Sequence, residues 1–192
     1  MVESALERCV LLIRHGEGYH NVNRWNGNDP PLTENGKGQA RALRSSHKLQ
    51  EHRPEVLICS PLLRAVQTAA LVFGEQPRFR TIITPLHSER WSGPCDQGST
   101  KSELLAACPF VKSWEGFEEL PEEWSPTSRE SDRNWVQERV PRFLDFVRRQ
   151  TERRIVIVGH GAFFNALVGF HMKNCECVEL RPGMTRNVHR PV

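Results

Sequence analysis

Three short apolar runs constrain this chain more than anything else in it: Val10–Ile13, Glu55–Cys59 and Arg154–Val158. Each is dense in Val, Ile or Leu and bounded by charged or turn-forming residues, the pattern of a buried strand. Arg80–Thr84 is a weaker run of the same kind, and Cys177–Leu180 is a candidate last strand. Between the runs the apolar residues change to helical spacing. Thr33 suits the N-cap of a helix reaching about Gln50, with Ala40, Leu43 and His47 on one face. Ser60-Pro61 reads as a helix start, with Ser as cap and Pro at the first helical position, for a helix that Gly74 ends. Thr100 and Glu103 form a capping box for a short helix stopping before Pro109. Val136, Val140, Phe143, Leu144 and Val147 recur at helical intervals, and Pro141 is expected to kink or restart that helix. Gly161 opens another, to about His171. Strands alternating with helices imply an α/β fold: a mostly parallel central sheet with helices on both faces. No repeat, low-complexity tract or linker divides residues 1–192, so a single domain is expected. Ser113–Trp124 breaks the alternation. It is acidic, aromatic and rich in turn residues, and reads as an excursion near one end of the sheet, either a solvated loop or a lid.

A chain of 192 residues can bury a substantial core, and 38% hydrophobic with 26% charged residues is ordinary for a globular protein. No stretch approaches the roughly 18 apolar residues that cross a bilayer. "MVESALERC" lacks the charged-then-apolar order of a secretory leader, so a cytoplasmic location is expected. A net charge of +3 is too mild to argue for nucleic acid or membrane as a partner. Of the 26 basic residues, 21 are Arg, the better bidentate partner for phosphate, although only an Arg held at a site bears on function. The six cysteines read as free thiols in a reducing compartment, with Cys9 and Cys59 inside strands. His171, Cys175 and Cys177 lack a well-spaced fourth ligand, so no metal site is expected. "GKGQAR", 36–41, lacks the third glycine of a dinucleotide loop and follows no strand.

The chemistry lies where strands end. In open α/β sheets, ligands bind beyond the carboxyl ends of the strands. The first strand runs into Arg14-His15-Gly16, the second into Ser60-Pro61 with Arg64 in the turn beyond, the third into Gly159-His160-Gly161. If these strands are neighbours, two imidazoles and two guanidiniums converge, and helix N-termini add free N–H groups. No acidic residue of these junctions is an obvious neutraliser. Such a cluster suits one phosphoryl group.

These segments resemble the histidine phosphatase superfamily, which includes cofactor-dependent phosphoglycerate mutases. "RHGE" at 14–17 with Asn21 looks like its signature, "SPLLRAVQTA" at 60–69 its second-arginine segment, and "GHGAFFNAL" at 159–167 its second-histidine segment. The spelling "RHGEGYHN", with Glu89-Arg90 before Pro94-Cys95-Asp96, resembles a eukaryotic phosphomutase-like branch. The resemblance implies a three-layer, phosphoglycerate mutase-like fold. It implies that His15 is the nucleophile and that Arg14, Arg64 and His160 hold the phosphoryl oxygens. Glu89 would be the general acid and then the base for water, in preference to Glu17. Asn21, and with it Asn26, Gly27 and Gly161, would bind substrate. Arginines can stabilise a loose phosphoryl-transfer transition state without a metal, so no cofactor is expected. Nearby cations should also keep His15 neutral and free to attack.

The implied activity is a phosphomonoester phosphatase working through a phosphohistidine on a small phosphorylated metabolite. The alternatives are a phosphoglycerate mutase and a non-catalytic phospho-ligand binder. Mutase relatives usually carry Ser, then Trp before the Asn; Gly18 and His20 stand here. The region after Glu89 is short, and an acidic segment at 113–124 should repel a small polyanion. Hydrolysis is therefore favoured. Trp25, Trp91 and Phe164 could line a pocket or belong to the core, Arg90 could read a second anion, and oligomeric state is left open.

Overall fold

A computed structural model describes residues 8–180. The N-terminal residues read as carrying no leader are, up to residue 7, outside that range. Five strands form one sheet: β1 (Cys9–Arg14), β2 (Val56–Cys59), β3 (Arg80–Ile83), β4 (Arg154–Gly159) and β5 (Cys177–Leu180). Their order is β3-β2-β4-β1-β5, parallel except for β5, which runs antiparallel to β1. All five fall where the apolar runs place them.

The alternation of side chains along each strand divides the core in two. Leu11, Ile13, Leu57, Cys59, Val156 and Val158 face helices α1 (Glu34–Arg44) and α3 (Leu63–Phe73), meeting Ala40, Ala65, Val66, Ala69 and Val72. Leu12, Val56, Ile58, Ile155 and Ile157 face α5 (Trp135–Arg148) and α6 (Gly161–Val168), meeting Val140, Phe143, Phe163, Phe164 and Leu167. The result is the mixed three-layer architecture expected from the sequence, with α2 (His47–His52) and α4 (Lys101–Ala107) completing the helices. No helix among the described residues is long and apolar enough to cross a membrane.

Helix boundaries moved where a side chain found a better partner. Thr33 does cap α1, its Oγ1 accepting from Gly36 N at 3.0 Å, but the helix stops at Arg44. Ser46 then caps a separate α2, and His47 is exposed beside Glu51 rather than on the apolar face. Ser60 does not cap α3. Its hydroxyl pairs with His160 Nε2 at 2.8 Å, and α3 begins only at Leu63, whose N–H donates to Asp29 Oδ1 at 2.8 Å. The cap is thus supplied from another part of the chain. The capping box at Thr100 and Glu103 forms as read. Helix α5 runs through Pro141 without a break; Pro141 and Gln137, whose carbonyl loses its partner, are both on the exposed side. Helix α6 ends at Gly169 in the left-handed conformation (φ 80°), short of His171.

The excursion at 113–124 is not a solvated loop. Trp114, Phe117, Leu120 and Trp124 are buried. Glu115 adds a parallel bridge to the outer edge of β3, donating to Thr81 O at 2.9 Å and accepting from Ile83 N at 2.8 Å. Much of its acidic charge is engaged: Glu115 with Arg80, Glu118 with Lys101 and Glu122 with Ser102.

Candidate active site

The strand order brings the three polar junctions together. Strand β4 lies between β1 and β2, with Arg14 opposite Gly159 and Cys59 opposite Val158. His15 N donates to Gly159 O at 3.0 Å and Ser60 N to Val158 O at 3.1 Å, so the chain leaves all three strands at one level. The His15 and His160 rings consequently lie 5.2 Å apart, centroid to centroid.

His15 is 1% exposed. Its Nδ1 sits 2.7 Å from Gly16 O. A carbonyl oxygen only accepts, so Nδ1 carries the ring proton and the Nε2 lone pair is free. The backbone around it is pinned: Gly16 N donates to Thr68 Oγ1 at 3.0 Å, and Thr68 Oγ1 donates to Arg64 O at 2.7 Å. Asn174 Nδ2 donates to His15 O at 3.0 Å and to Asn21 Oδ1 at 3.3 Å. Asn21 Oδ1 also accepts from Gly18 N at 3.0 Å, so this side chain braces the signature loop. Burial lowers the pKa of His15 well below the ordinary imidazole value, and Arg64, His20 and Arg14 lower it further. Burial and the same arginine keep His160 neutral.

Arg64 is wholly buried at the start of α3. It donates to Cys95 O at 2.8 Å and to Asp96 Oδ1 at 3.0 Å. Asp96, whose other oxygen accepts from Ser92 N and Oγ, is the neutraliser that the junctions themselves lack. Arg14 donates from Nη1 to Met172 O at 2.6 Å, and its guanidinium lies over Gly161, where a Cβ would come within 3.1 Å of Nε. His20, from the loop after β1, brings its ring to 5.5 Å from that of His15; burial first, then Arg64 and Arg14, lower its pKa to about 3.

Four nitrogens of this cluster are buried with no hydrogen-bond partner: Arg14 Nε, Arg64 Nε, His160 Nδ1 and His20 Nδ1. Orphaned buried polar groups are costly, and two arginine donors with two unpartnered imidazole nitrogens around a neutral imidazole with a free lone pair have the chemistry of an oxyanion cradle.

Glu89 reaches the same place from the loop after β3. Its oxygens accept from Ala162 N at 3.1 Å and Phe163 N at 3.2 Å, the first turn of α6 directly behind His160, and its charge acts on Arg14. The loop is held by Arg139 of α5, which donates to Ser88 O at 2.9 Å, Glu89 O at 3.3 Å and Asp132 Oδ2 at 3.0 Å. Asp132 in turn accepts from Trp91 N at 2.8 Å.

Of the candidates from sequence, Arg14, His15, Arg64, Glu89, His160 and Gly161 meet here. Asn26 and Gly27 do not: both are exposed, and no hydrogen bond among the described residues ties them to these groups. They sit in a turn closed by Trp25 Nε1 donating to Asn28 O at 2.9 Å. Glu17 accepts from Thr33 Oγ1 at 2.7 Å and Asn35 Nδ2 at 3.1 Å, which anchors α1 to the signature loop. Phe164 is core, under Gly159, while Trp25 is exposed. Arg90 is also exposed. Asp96 and Arg139 were missed. Asp96 stands in the quoted Pro-Cys-Asp stretch, but nothing local says what it faces. For Arg139 the one signal is its place beside Trp135 and Phe143 on the apolar stripe of α5. His171, Cys175 and Cys177 form no ligand cluster among the described residues; burial raises the Cys175 pKa to about 12 and that of Cys177 to about 11.

Parallel strands that deliver two imidazoles and two guanidiniums to one buried point define a histidine-centred, anion-binding α/β protein. A model of the histidine phosphatase superfamily (branch 1) matches residues 10–181, and the chain belongs to that superfamily. It is 32% identical over 171 residues to a 2,3-bisphosphoglycerate-dependent phosphoglycerate mutase of a Methylobacterium species, covering 85% of this chain and 80% of that one. It is 28% identical to a glucosyl-3-phosphoglycerate phosphatase of Mycolicibacterium vanbaalenii, covering 83% and 72%. Among solved structures, a native mycobacterial glucosyl-3-phosphoglycerate phosphatase superimposes with a TM-score of 0.56 at 25% identity, covering 90% and 89%. Phosphoserine phosphatase of Entamoeba histolytica, in complex with 3-phosphoglyceric acid, shares the fold: TM-score 0.58, 24% identity, 89% of each chain.

Proposed function

We propose that this protein is a cytoplasmic phosphomonoester phosphatase that transfers the phosphoryl group of a small phosphorylated metabolite to His15 and then to water. The observation that carries the reading is the free Nε2 of His15 among four buried, unpartnered nitrogens of Arg14, Arg64, His160 and His20. In the first step Nε2 attacks phosphorus, the Nε2–P bond forms and the ester P–O bond breaks. Protonated Glu89 gives its proton to the departing alkoxide. In the second step the Glu89 carboxylate takes a proton from water, the water oxygen attacks phosphorus, and the Nε2–P bond breaks to release inorganic phosphate. Arg14, Arg64 and His160 hold the three equatorial oxygens, where charge accumulates in a loose transition state. With the Ser60 hydroxyl donating to its Nε2, His160 would donate to the phosphoryl group from Nδ1. Asn21 braces the loop that carries His15. Cys59, Cys95, Cys108, Cys175 and Cys177 are free thiols, which agrees with a reducing, cytoplasmic setting.

A mutase reading is favoured by the name of the 32% identical relative. The two readings share His15 and differ in the acceptor. Substituting His15→Ala should leave less than a few per cent of the turnover of an aryl phosphate, with a chemically trapped phosphoenzyme lost in parallel. Retained turnover would remove His15 as nucleophile. A panel of phosphate esters containing 3-phosphoglycerate, with and without the bisphosphate, should yield inorganic phosphate and no isomerised ester. Bisphosphate-dependent isomerisation would select the mutase.

A further inference from the structure

At the other end of β1 from His15, three side chains from three elements close on one another. Cys9 begins β1, His52 ends α2, and Glu179 lies on β5 opposite Leu11, on the same sheet face as Cys9. One potential ligand atom from each lies within 4.8 Å of the other two. Cys9 Sγ is 3.6 Å from His52 Nδ1 and donates to Glu179 Oε1 at 2.8 Å. His52 Nε2 is 3.1 Å from Ile155 O. Since that carbonyl can only accept, the ring proton is on Nε2 and the Nδ1 lone pair faces the sulfur.

We propose that Cys9, His52 and Glu179 bind a zinc ion. Tetrahedral zinc with S and N ligands at their usual bond lengths separates those two atoms by about 3.6 Å, the spacing already present between Cys9 and His52. The backbone carbonyl on Nε2 is the outer hydrogen bond that fixes the tautomer of a ligating histidine. A thiolate, an imidazole and a carboxylate are a ligand set that suits zinc, with water as the fourth ligand. Binding forms the Zn–S bond and sends the Cys9 thiol proton to solvent. The Cys9–Glu179 hydrogen bond is replaced by two bonds to the metal, and no electron is transferred. The ion would staple α2 and the antiparallel edge strand to β1, at the opposite end of that strand from His15, so it serves stability rather than turnover.

The test uses the full chain, freed of metal by a chelator and titrated with zinc, and with cobalt(II) as the coloured probe. One cobalt per chain should bind with a thiolate-to-metal charge-transfer band and the visible spectrum of a tetrahedral ion. Zinc should release a proton and raise the melting temperature. Cys9→Ser should abolish the charge-transfer band and weaken binding more than about tenfold. Glu179→Gln should weaken it while keeping the band. Aryl phosphate turnover by both variants should match the parent. A band that survives Cys9→Ser, a cobalt spectrum without thiolate character, or no rise in melting temperature of the parent with zinc would each overturn the proposal. If Cys9→Ser does not fold, Glu179→Gln decides: unchanged affinity there overturns it as well.

Discussion

Glu89 is the residue on which the proposed two-step chemistry turns most visibly. Its carboxylate is seated on the first N–H groups of α6 and flanked by Arg14. General acid catalysis contributes roughly 10²–10⁴-fold, and matters in proportion to how poorly the leaving group departs unaided. Glu89→Gln should therefore cost an alkyl phosphate about 10²-fold or more in kcat/KM and an aryl phosphate with a stable phenolate far less. Equal losses on the two ester types would take the proton-transfer role from Glu89. Asp96 permits a different kind of test. It meets Arg64 at 3.0 Å with both side chains buried. Removing one partner of such a pair costs about 3–5 kcal/mol, because the remaining charge is left without compensation. Asp96→Ala should lower stability by that order in urea denaturation, and inorganic phosphate should restore more of it than it adds to the parent. No extra stabilisation by phosphate would mean that Arg64 does not face the anion. Neither role can be read from local sequence. Glu89 sits in no periodic pattern, and Asp96 acquires its meaning from a side chain 32 positions earlier.

Among the elements, α1 shows why a glycine can be indispensable inside a helix. A Cβ on Gly36 would collide with Glu17 O, backbone against backbone, whereas one on Gly38 in the same helix meets nothing within 4 Å. Ordinarily Gly→Ala in a helix interior stabilises by about 0.5–1 kcal/mol. Gly38→Ala should do so, while Gly36→Ala should destabilise by about 1–3 kcal/mol and disturb turnover, since Glu17 is two residues from His15. Thermal melts of the pair check this with one helix as its own control; equal shifts would refute the close approach. The same contrast explains what could be read in advance. The central strands β1, β2 and β4 were legible because burial on both faces demands nearly unbroken Val, Ile and Leu. Helix ends were legible where the cap is local, as at Thr33 and Thr100. They were not legible where the cap is remote: Asp29 serves Leu63 while Ser60, the obvious local candidate, is occupied by His160. That the segment at 113–124 is packed rather than solvated was not legible for a similar reason. Three of its five glutamates have partners elsewhere in the chain, and its aromatics fill a space that only the finished sheet creates.

For the molecule as a whole, the buried imidazoles make stability depend on pH in one direction. Burial lowers the pKa of His15, His160 and His87, that of His87 to about 3, and Arg64 lowers the first two further. In the unfolded chain each titrates near 6.5, so between that pH and the folded value the unfolded state binds protons that the folded state refuses. Stability is therefore complete above about pH 6.5 and falls on acidification, each of the three adding up to about 1.4 kcal/mol per pH unit. Urea midpoints measured from about pH 7 to pH 5 should decline, and phosphate should flatten the decline; a level profile would show that the imidazoles titrate as if exposed. Sheet order has a consequence of its own for biosynthesis. Strands β1 and β2 never touch; each is joined to the sheet through β4, made some 140 residues after β1. A growing chain emerging from the ribosome therefore carries its most apolar segments without their central neighbour until Arg154–Gly159 arrives. Until then β2 has only β3 beside it and β1 has neither of its neighbours, so a product that stops short of that strand exposes the edges of β1 and β2 to aggregation.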